Sequence, residues 1–127
     1  MPDGDLGNAG SWWRPYVGKY ELTLSDGVSM EDTTIMLSTI QDVIFTSDMV
    51  AANQGTSDLA TLPSGCIPDR ALYISVVAET EEVLSTVVLM IDSTGAISAP
   101  LGVPASTTLH LYGVSFNICG NYYREEV

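Results

Sequence analysis

The stretch that decides the fold is Leu59-Ala-Thr-Leu-Pro-Ser-Gly-Cys-Ile-Pro-Asp-Arg-Ala-Leu-Tyr-Ile-Ser-Val-Val-Ala78. Pro63 and Pro68 bracket a Ser-Gly turn and remove two backbone donors, so regular structure must break between them. The residues on either side favour extended backbone, and the run after the second proline is rich in β-branched and aromatic side chains. This stretch therefore predicts a rigid corner between two β-strands.

Strand-like segments also precede the corner. Residues 20–25 alternate between apolar and polar side chains, and the Asp26-Gly27 pair that follows is typical of a hairpin turn. Residues 33–46 fit helical spacing, yet they are rich in β-branched side chains. We interpret them as one or two strands with a break near residues 41–42, and residues 47–58 as a loop.

The second half of the chain has the pattern of strands joined by short turns. The predicted strands are residues 71–78, 83–91, 96–99 and 107–118, separated by an acidic turn at 79–82, a turn at 92–95 and a loop at 100–104. Gly113 lies inside the last strand and indicates a bulge or a close backbone approach. About seven to eight short strands with frequent turns predict an all-β fold, an antiparallel β-sandwich or a small barrel.

The length of 127 residues suits one domain. We predict an extended N-terminal arm at residues 1–18, which is rich in Gly and lacks periodicity, and a β-sandwich domain at residues 19–127. The arm carries both tryptophans of the chain. Its large side chains either pack onto the core of the same chain or dock onto a neighbouring subunit. The candidate assembly interface is Trp12, Trp13, Arg14 and Tyr16.

The charge balance excludes some partners. Sixteen acidic residues against four basic ones give a net charge of −12. A chain this acidic cannot neutralise several phosphates, so we expect no nucleic-acid binding, and anionic membrane surfaces are disfavoured. The charge favours solubility, with a carboxylate cation site as the alternative. Residues 1–10 do not resemble a signal peptide, and no apolar run is long enough to span a bilayer.

Residues that could support catalysis are few. His110 is the only histidine, and its place between Leu109 and Leu111 predicts a solvent-facing strand residue, with a general base as the alternative. The chain has no Gly-x-Ser-x-Gly motif and no phosphate-binding glycine loop. We therefore expect no enzyme, no catalytic residues, no metal and no cofactor. Cys66 and Cys119 are either two buried thiols or a disulfide.

Three motifs carry a family resemblance. They are Ala60-Thr-Leu-Pro-Ser-Gly-Cys-Ile-Pro68, Ile91-Asp-Ser-Thr-Gly-Ala-Ile97 and Leu111-Tyr-Gly-Val-Ser-Phe116. In this order, they resemble the C-terminal tip domains of tailed-bacteriophage fibres and receptor-binding proteins, over roughly residues 57–118. The resemblance implies a sandwich of the jelly-roll kind that assembles as a homotrimer, with loops at one end free for a glycan or another virion protein. Its fold-defining turns would be Pro63, Gly65, Pro68, Gly95 and Gly113.

The chain departs from that family because it has no shaft or heptad repeat before the sandwich. This departure favours a non-enzymatic virion structural protein, either a capsid decoration or head-fibre subunit or a tail-fibre or baseplate subunit. It would be made in the host cytoplasm and placed on the virion surface, where its arm docks onto other virion proteins. The alternative is a host receptor- or glycan-binding tip. Candidate ligand or trimer contacts are Tyr73, His110, Tyr112, Tyr122 and Tyr123.

Overall fold

The computed structural model describes residues 16–119, which form antiparallel strands, turns and loops, and no helix. The strands are β1 (Tyr16–Glu21), β2 (Thr23–Leu24), β3 (Val28–Met30), β4 (Thr34–Ser38), β5 (Asp42–Phe45), β6 (Met49–Ala51), β7 (Thr56–Thr61), β8 (Leu72–Thr80), β9 (Val83–Ile91), β10 (Ala96–Val103), β11 (Thr107–Leu109) and β12 (Ser115–Asn117). A four-stranded sheet has the order β1-β4-β5-β12, and an eight-stranded sheet has the order β2-β7-β10-β9-β8-β11-β6-β3. The predicted all-β antiparallel sandwich is confirmed, with more strands than expected because several short segments also pair.

The predicted corner joins β7 to β8 and carries the chain past β10 and β9, which lie between them in the sheet. Within the turn, the Cys66 N–H donates to the Pro63 carbonyl at 3.1 Å. The Leu62 N–H donates to the Gly95 carbonyl at 2.8 Å, and the Asp69 N–H donates to the Ile118 carbonyl at 3.3 Å. These bonds fix the corner to the β9–β10 turn on one side and to the end of β12 on the other.

The predicted strand at residues 20–25 is two strands. It breaks at the buried Leu22, where the chain leaves the four-stranded sheet and enters the eight-stranded one. The Leu22 N–H donates to the Thr33 carbonyl at 2.9 Å across this break. The chain therefore changes sheets without losing the apolar alternation that the sequence shows.

The predicted last strand at residues 107–118 is also wrong as a single element, because the chain changes sheets between β11 and β12. Gly113 lies in the connecting turn with φ of +81°, a conformation that favours glycine. The Gly113 N–H donates to the Phe45 carbonyl at 3.0 Å. The positive φ of Gly113 therefore serves the turn that takes the chain from one sheet to the other, and not a bulge within a strand.

Two other predicted loops contain strands. Residues 49–51 within the predicted loop at 47–58 form β6, because the buried Met49 and Ala51 alternate with the exposed Val50 and pair with β3 and β11 on either side. The predicted loop at 100–104 belongs largely to β10. The register of β10 against β7 shifts between Ser98 and Val103, and a proline is tolerated at such an irregularity.

The predicted hairpin at Asp26-Gly27 is wrong. A turn forms there, with the Val28 N–H donating to the Ser25 carbonyl at 3.1 Å, but β2 pairs with β7 and β3 pairs with β6.

The predicted break near residues 41–42 is confirmed. Residues 33–46 form two strands, with the turn at Gln41 just before β5. The β8–β9 turn is shorter than the predicted acidic turn at 79–82. Only Glu81 and Glu82 form it, both with positive φ, and Glu79 belongs to β8.

The core lies between the two sheets. The rings of Phe45 and Phe116 from the four-stranded sheet pack at a centroid distance of 5.9 Å. Each fully buried large side chain contributes about 1.5–3 kcal/mol by leaving water, so this core dominates the stability of the fold. The largest fully buried apolar side chains are Phe45, Ile35, Met49, Leu59, Leu89, Ile91, Ile97, Leu109, Leu111, Val43 and Val103.

The two cysteines are free. Cys66 is fully buried beside the corner, and burial raises the pKa of its thiol to about 11. Cys119 is only partly buried. Of the two predicted alternatives, the structure therefore has two free thiols, and only Cys66 is fully buried.

Candidate functional site

The outward face of the eight-stranded sheet carries a row of exposed apolar side chains. Along β8 and β9, the outward residues occupy successive cross-strand pairs, from Glu79 with Leu84 at the hairpin end to Tyr73 with Met90. Apolar side chains alternate between the strands from one pair to the next, so diagonal neighbours lie about 7–8 Å apart. We call this surface the outer face, and its exposed apolar residues are Leu84, Val77, Val88 and Tyr73.

One end of the outer face holds the histidine between two carboxylates. His110 Nδ1 lies 3.3 Å from Asp48 Oδ2, and His110 Nε2 lies 3.0 Å from Glu79 Oε1. The other oxygen of Asp48 accepts a hydrogen bond from the Tyr112 backbone N–H at 3.0 Å. The hydrogen bond that the imidazole donates to Glu79 raises the pKa of His110 above its usual value, and Asp48 adds to this effect. We refer to the three side chains as the Asp–His–Glu cluster.

Strand register assembles this cluster from distant parts of the chain. Leu109 in β11 pairs with Met49 in β6, so His110 and Asp48 form the next pair along. On the other side, the His110 N–H donates to the carbonyl of Val77 at 2.9 Å, and Glu79 is the next residue along β8 on the same face. Leu109 and Leu111 are fully buried while His110 is partly exposed, which confirms the predicted facing of the histidine.

The geometry limits what the cluster can do chemically. Because the two carboxylates contact opposite nitrogens of the imidazole, a single metal ion could not bind the ring and both carboxylates. No group of three metal-ligating side chains suited to an ion occurs within residues 16–119. Both ring nitrogens face carboxylates, so neither contacts a hydroxyl or thiol that it could activate. The two carboxylates instead fix the position of the imidazole and keep a group of ionisable side chains at the surface.

A groove of about 630 Å³ lies beside the cluster and shares Asp48 with it. Its loop is held in place by Ser47, whose hydroxyl donates to the Asp32 carbonyl at 2.9 Å and accepts from the Asp32 N–H at 3.2 Å. The Tyr112 side chain at its rim is 76 % exposed. The groove thus combines carboxylates, hydroxyls, an aromatic ring and apolar side chains. Its lining residues are Ser29, Met30, Glu31, Thr46, Ser47, Asp48, Val50 and Tyr112.

The predicted contact residues are brought together only in part. His110 and Tyr112 lie at the cluster and the groove, whereas Tyr73 lies on the outer face but four residues from Val77 along β8, or about 13 Å. Tyr16 begins β1, and its side chain lies outside the described part of the structure. The other predicted contact residues also lie outside the described residues, namely Trp12, Trp13, Arg14, Tyr122 and Tyr123.

The five residues named as fold-defining turns lie in connections between strands: Pro63, Gly65 and Pro68 between β7 and β8, Gly95 between β9 and β10, and Gly113 between β11 and β12. Gly65 in the corner has φ of +102° and Gly95 in the β9–β10 turn has φ of +95°. Pro63 accepts the corner hydrogen bond and Pro68 is buried.

Sequence reasoning missed three acidic members of this region. Asp48 lies in the predicted loop at 47–58, Glu79 lies in the predicted turn at 79–82, and the sequence assigned no role to Glu31. Glu79 is in phase with Tyr73 and Val77, so strict alternation along β8 would have placed it on the outer face. Nothing in the sequence pairs Asp48 with His110, which lies 62 residues away.

The chain matches no protein-family model, no curated protein and no solved structure. Among residues 16–119, there is no helix long and apolar enough to cross a membrane. The resemblance to phage fibre tips therefore stays a prediction from three sequence motifs.

Proposed function

We propose that this chain is a non-enzymatic structural subunit of the bacteriophage virion type, acting as a capsid decoration or fibre subunit that self-associates as a trimer. The observation that carries the proposal is the outer face, where four exposed apolar side chains occupy successive pairs of one hairpin. An antiparallel sheet with one solvated face normally presents polar residues there. Contiguous apolar surface of this kind typically marks a contact with another protein.

The charge distribution supports the same function. The chain has a net charge of −12, yet the outward positions from Val77 to Tyr73 on β8 and from Thr86 to Met90 on β9 carry no charge. Depletion of charge at the centre with polar groups at the rim is the usual anatomy of a protein interface. Here Glu79 and the rest of the Asp–His–Glu cluster would form the polar rim.

Mass photometry of the full chain at micromolar concentration tests the proposal. We expect a trimer that Val77→Lys dissociates, because the lysine would place a charge on the apolar outer face. Ser93→Lys, in the exposed β9–β10 turn, adds the same charge and is expected to leave the trimer intact. A monomeric wild-type chain, or a Val77→Lys variant that stays trimeric, would contradict the proposal.

A second candidate function is glycan binding, favoured by the exposed Tyr112 ring beside the carboxylates and hydroxyls of the groove. Aromatic rings provide flat apolar faces, while carboxylates and hydroxyls can bond the polar groups of a ligand. Specific binding on a glycan array that Tyr112→Ala abolishes would favour this function over a purely structural one. Binding that is unchanged in the variant would count against it.

A further inference from the structure

We infer that the groove beside the Asp–His–Glu cluster binds the Trp12-Trp13-Arg14 segment of a second copy of this chain. The inference rests on the proposed self-association and adds a second contact to it. It names the occupant of a groove that would otherwise be only a surface feature.

The chemistry of the groove fits a cation next to apolar surface. Glu31 and Asp48 supply two carboxylates, Tyr112 supplies an exposed ring, and Met30 and Val50 supply apolar side chains. Glu31 has no lysine or arginine partner within residues 16–119. A guanidinium is attracted both to carboxylates and to the face of an aromatic ring.

The chain contains one segment of matching chemistry. Residues 11–20 hold two of the four basic residues and no acidic residue, in a chain whose net charge is −12. Within this segment, Trp12 and Trp13 stand directly before Arg14. Tryptophan and arginine are the residues most enriched at the energetic centres of protein interfaces.

Strand register places the start of β1 far from the groove of its own molecule. Tyr16 at the start of β1 pairs with Ser38 at one end of β4, whereas the groove residue Thr46 bonds the Thr34 carbonyl at the other end. Ser38 and Thr34 are four residues apart, or about 14 Å along β4. The distance across the sheet from β1 to β5 is two strand spacings, or about 9–10 Å. Arg14 lies two residues before Tyr16, and two residues span at most about 7 Å.

The direction of β1 adds to this separation. β1 runs from the level of Ser38 towards the level of Thr34, so the residues before Tyr16 start at the end remote from the groove. A second copy can supply the segment without this constraint. Because the donated segment and the accepting groove are different surfaces, such contacts close into a ring if the rotation between copies allows it, as in a trimer.

Fluorescence anisotropy with a labelled peptide of residues 11–18 tests the inference. The receptor is the full-length Arg14→Glu variant, whose own segment should compete poorly. We expect saturable binding that falls at least about tenfold when Glu31→Lys is added, because an attraction becomes a repulsion. Glu81→Lys, in the exposed β8–β9 turn, makes the same charge change outside the groove and is expected to leave binding unchanged.

The outcomes separate the inference from the proposed function. No peptide binding, or binding that Glu31→Lys leaves unchanged, overturns the inference even if the chain is trimeric. A monomeric wild-type chain refutes the proposed self-association, while the peptide assay still reports on the groove. In mass photometry, Arg14→Glu and Glu31→Lys should each weaken the oligomer, and the double charge reversal Arg14→Glu with Glu31→Arg should restore it. Failure of the reversal to restore any association would also overturn the inference.

Discussion

Replacing Gly95 by alanine tests how tightly the predicted corner is fixed to the β9–β10 turn. Gly95 has φ of +95°, and its carbonyl accepts the Leu62 N–H at 2.8 Å. An added Cβ would lie 3.1 Å from both Cγ1 and Cδ1 of Ile67 and 3.3 Å from the Leu62 carbonyl oxygen. That oxygen belongs to backbone that is bonded to Gly95 itself, so it cannot move away without loosening the corner.

The expected loss has two parts. A non-glycine residue in a left-handed conformation costs about 1–2 kcal/mol, and forcing a methyl group into a packed site costs about 1–3 kcal/mol. Gly55→Ala is the matched control, because Gly55 also has positive φ, at +77°, but its added Cβ would meet nothing within 4 Å. The control should therefore lose only the backbone part.

Urea unfolding followed by far-UV circular dichroism measures the difference. With a slope near 2 kcal/mol/M, the midpoint for Gly95→Ala should lie about 0.5–1.5 M below that for Gly55→Ala. Equal midpoints for the two variants would refute the reasoning, because they would mean that the contacts of Gly95 add nothing to its backbone conformation.

Three other predictions concern ionisable groups. Glu79 and Asp48 raise the pKa of His110 in the folded chain. The stabilisation of the fold by this histidine is therefore complete below its pKa in the unfolded chain, near 6.5, and is lost as the pH rises through its pKa in the folded chain. An NMR titration of this single imidazole should give a midpoint above 6.5, and a lower midpoint would contradict the cluster geometry. Hydrogen bonds from Thr94 and then Ala96 lower the pKa of Asp92 in the folded chain. The stabilisation of the fold by this carboxylate is therefore present above its pKa in the unfolded chain, near 3.8, and is lost as the pH falls through its pKa in the folded chain. Asp92→Asn should accordingly lower the Tm at neutral pH, with a gap that closes in acid; a gap independent of pH would be the opposite result. In thiol labelling of the folded chain at pH 8, Cys119 should react and Cys66 should not until denaturant is added, since Cys66 is fully buried with a pKa of about 11. Equal labelling rates for both thiols would argue against that enclosure.

The fold class was predictable because the sequence pattern and the packing agree. Alternation along β8 and β9, the Asp92–Gly95 turn and the proline corner each set local structure through their own backbone preferences. The predicted strand boundaries were wrong where tertiary contacts override the local sequence pattern. β6 has only three residues and forms because β3 and β11 flank it, which no property of residues 49–51 alone reveals.

The candidate site was predictable only in part. Alternation placed His110 opposite the leucines, and this position is confirmed. Its partners could not be found from the sequence, because the pairing of β11 with β6 and β8 sets which carboxylates approach the ring. Long-range register depends on the whole core, so residues far apart in sequence become neighbours without any local signal.

Three of the four outermost strands of the two sheets are poorly suited to pairing with the backbone of another chain. In the eight-stranded sheet they are β2 and β3, with two and three residues, so they offer few free backbone groups to another chain. In the four-stranded sheet, β1 has an irregular register near Gly18 and an exposed lysine at position 19, and both features discourage strand addition. Backbone pairing, which can continue without limit into fibrils, is thus disfavoured at these borders. If two copies meet at these borders, they would therefore do so through side chains rather than through shared backbone hydrogen bonds.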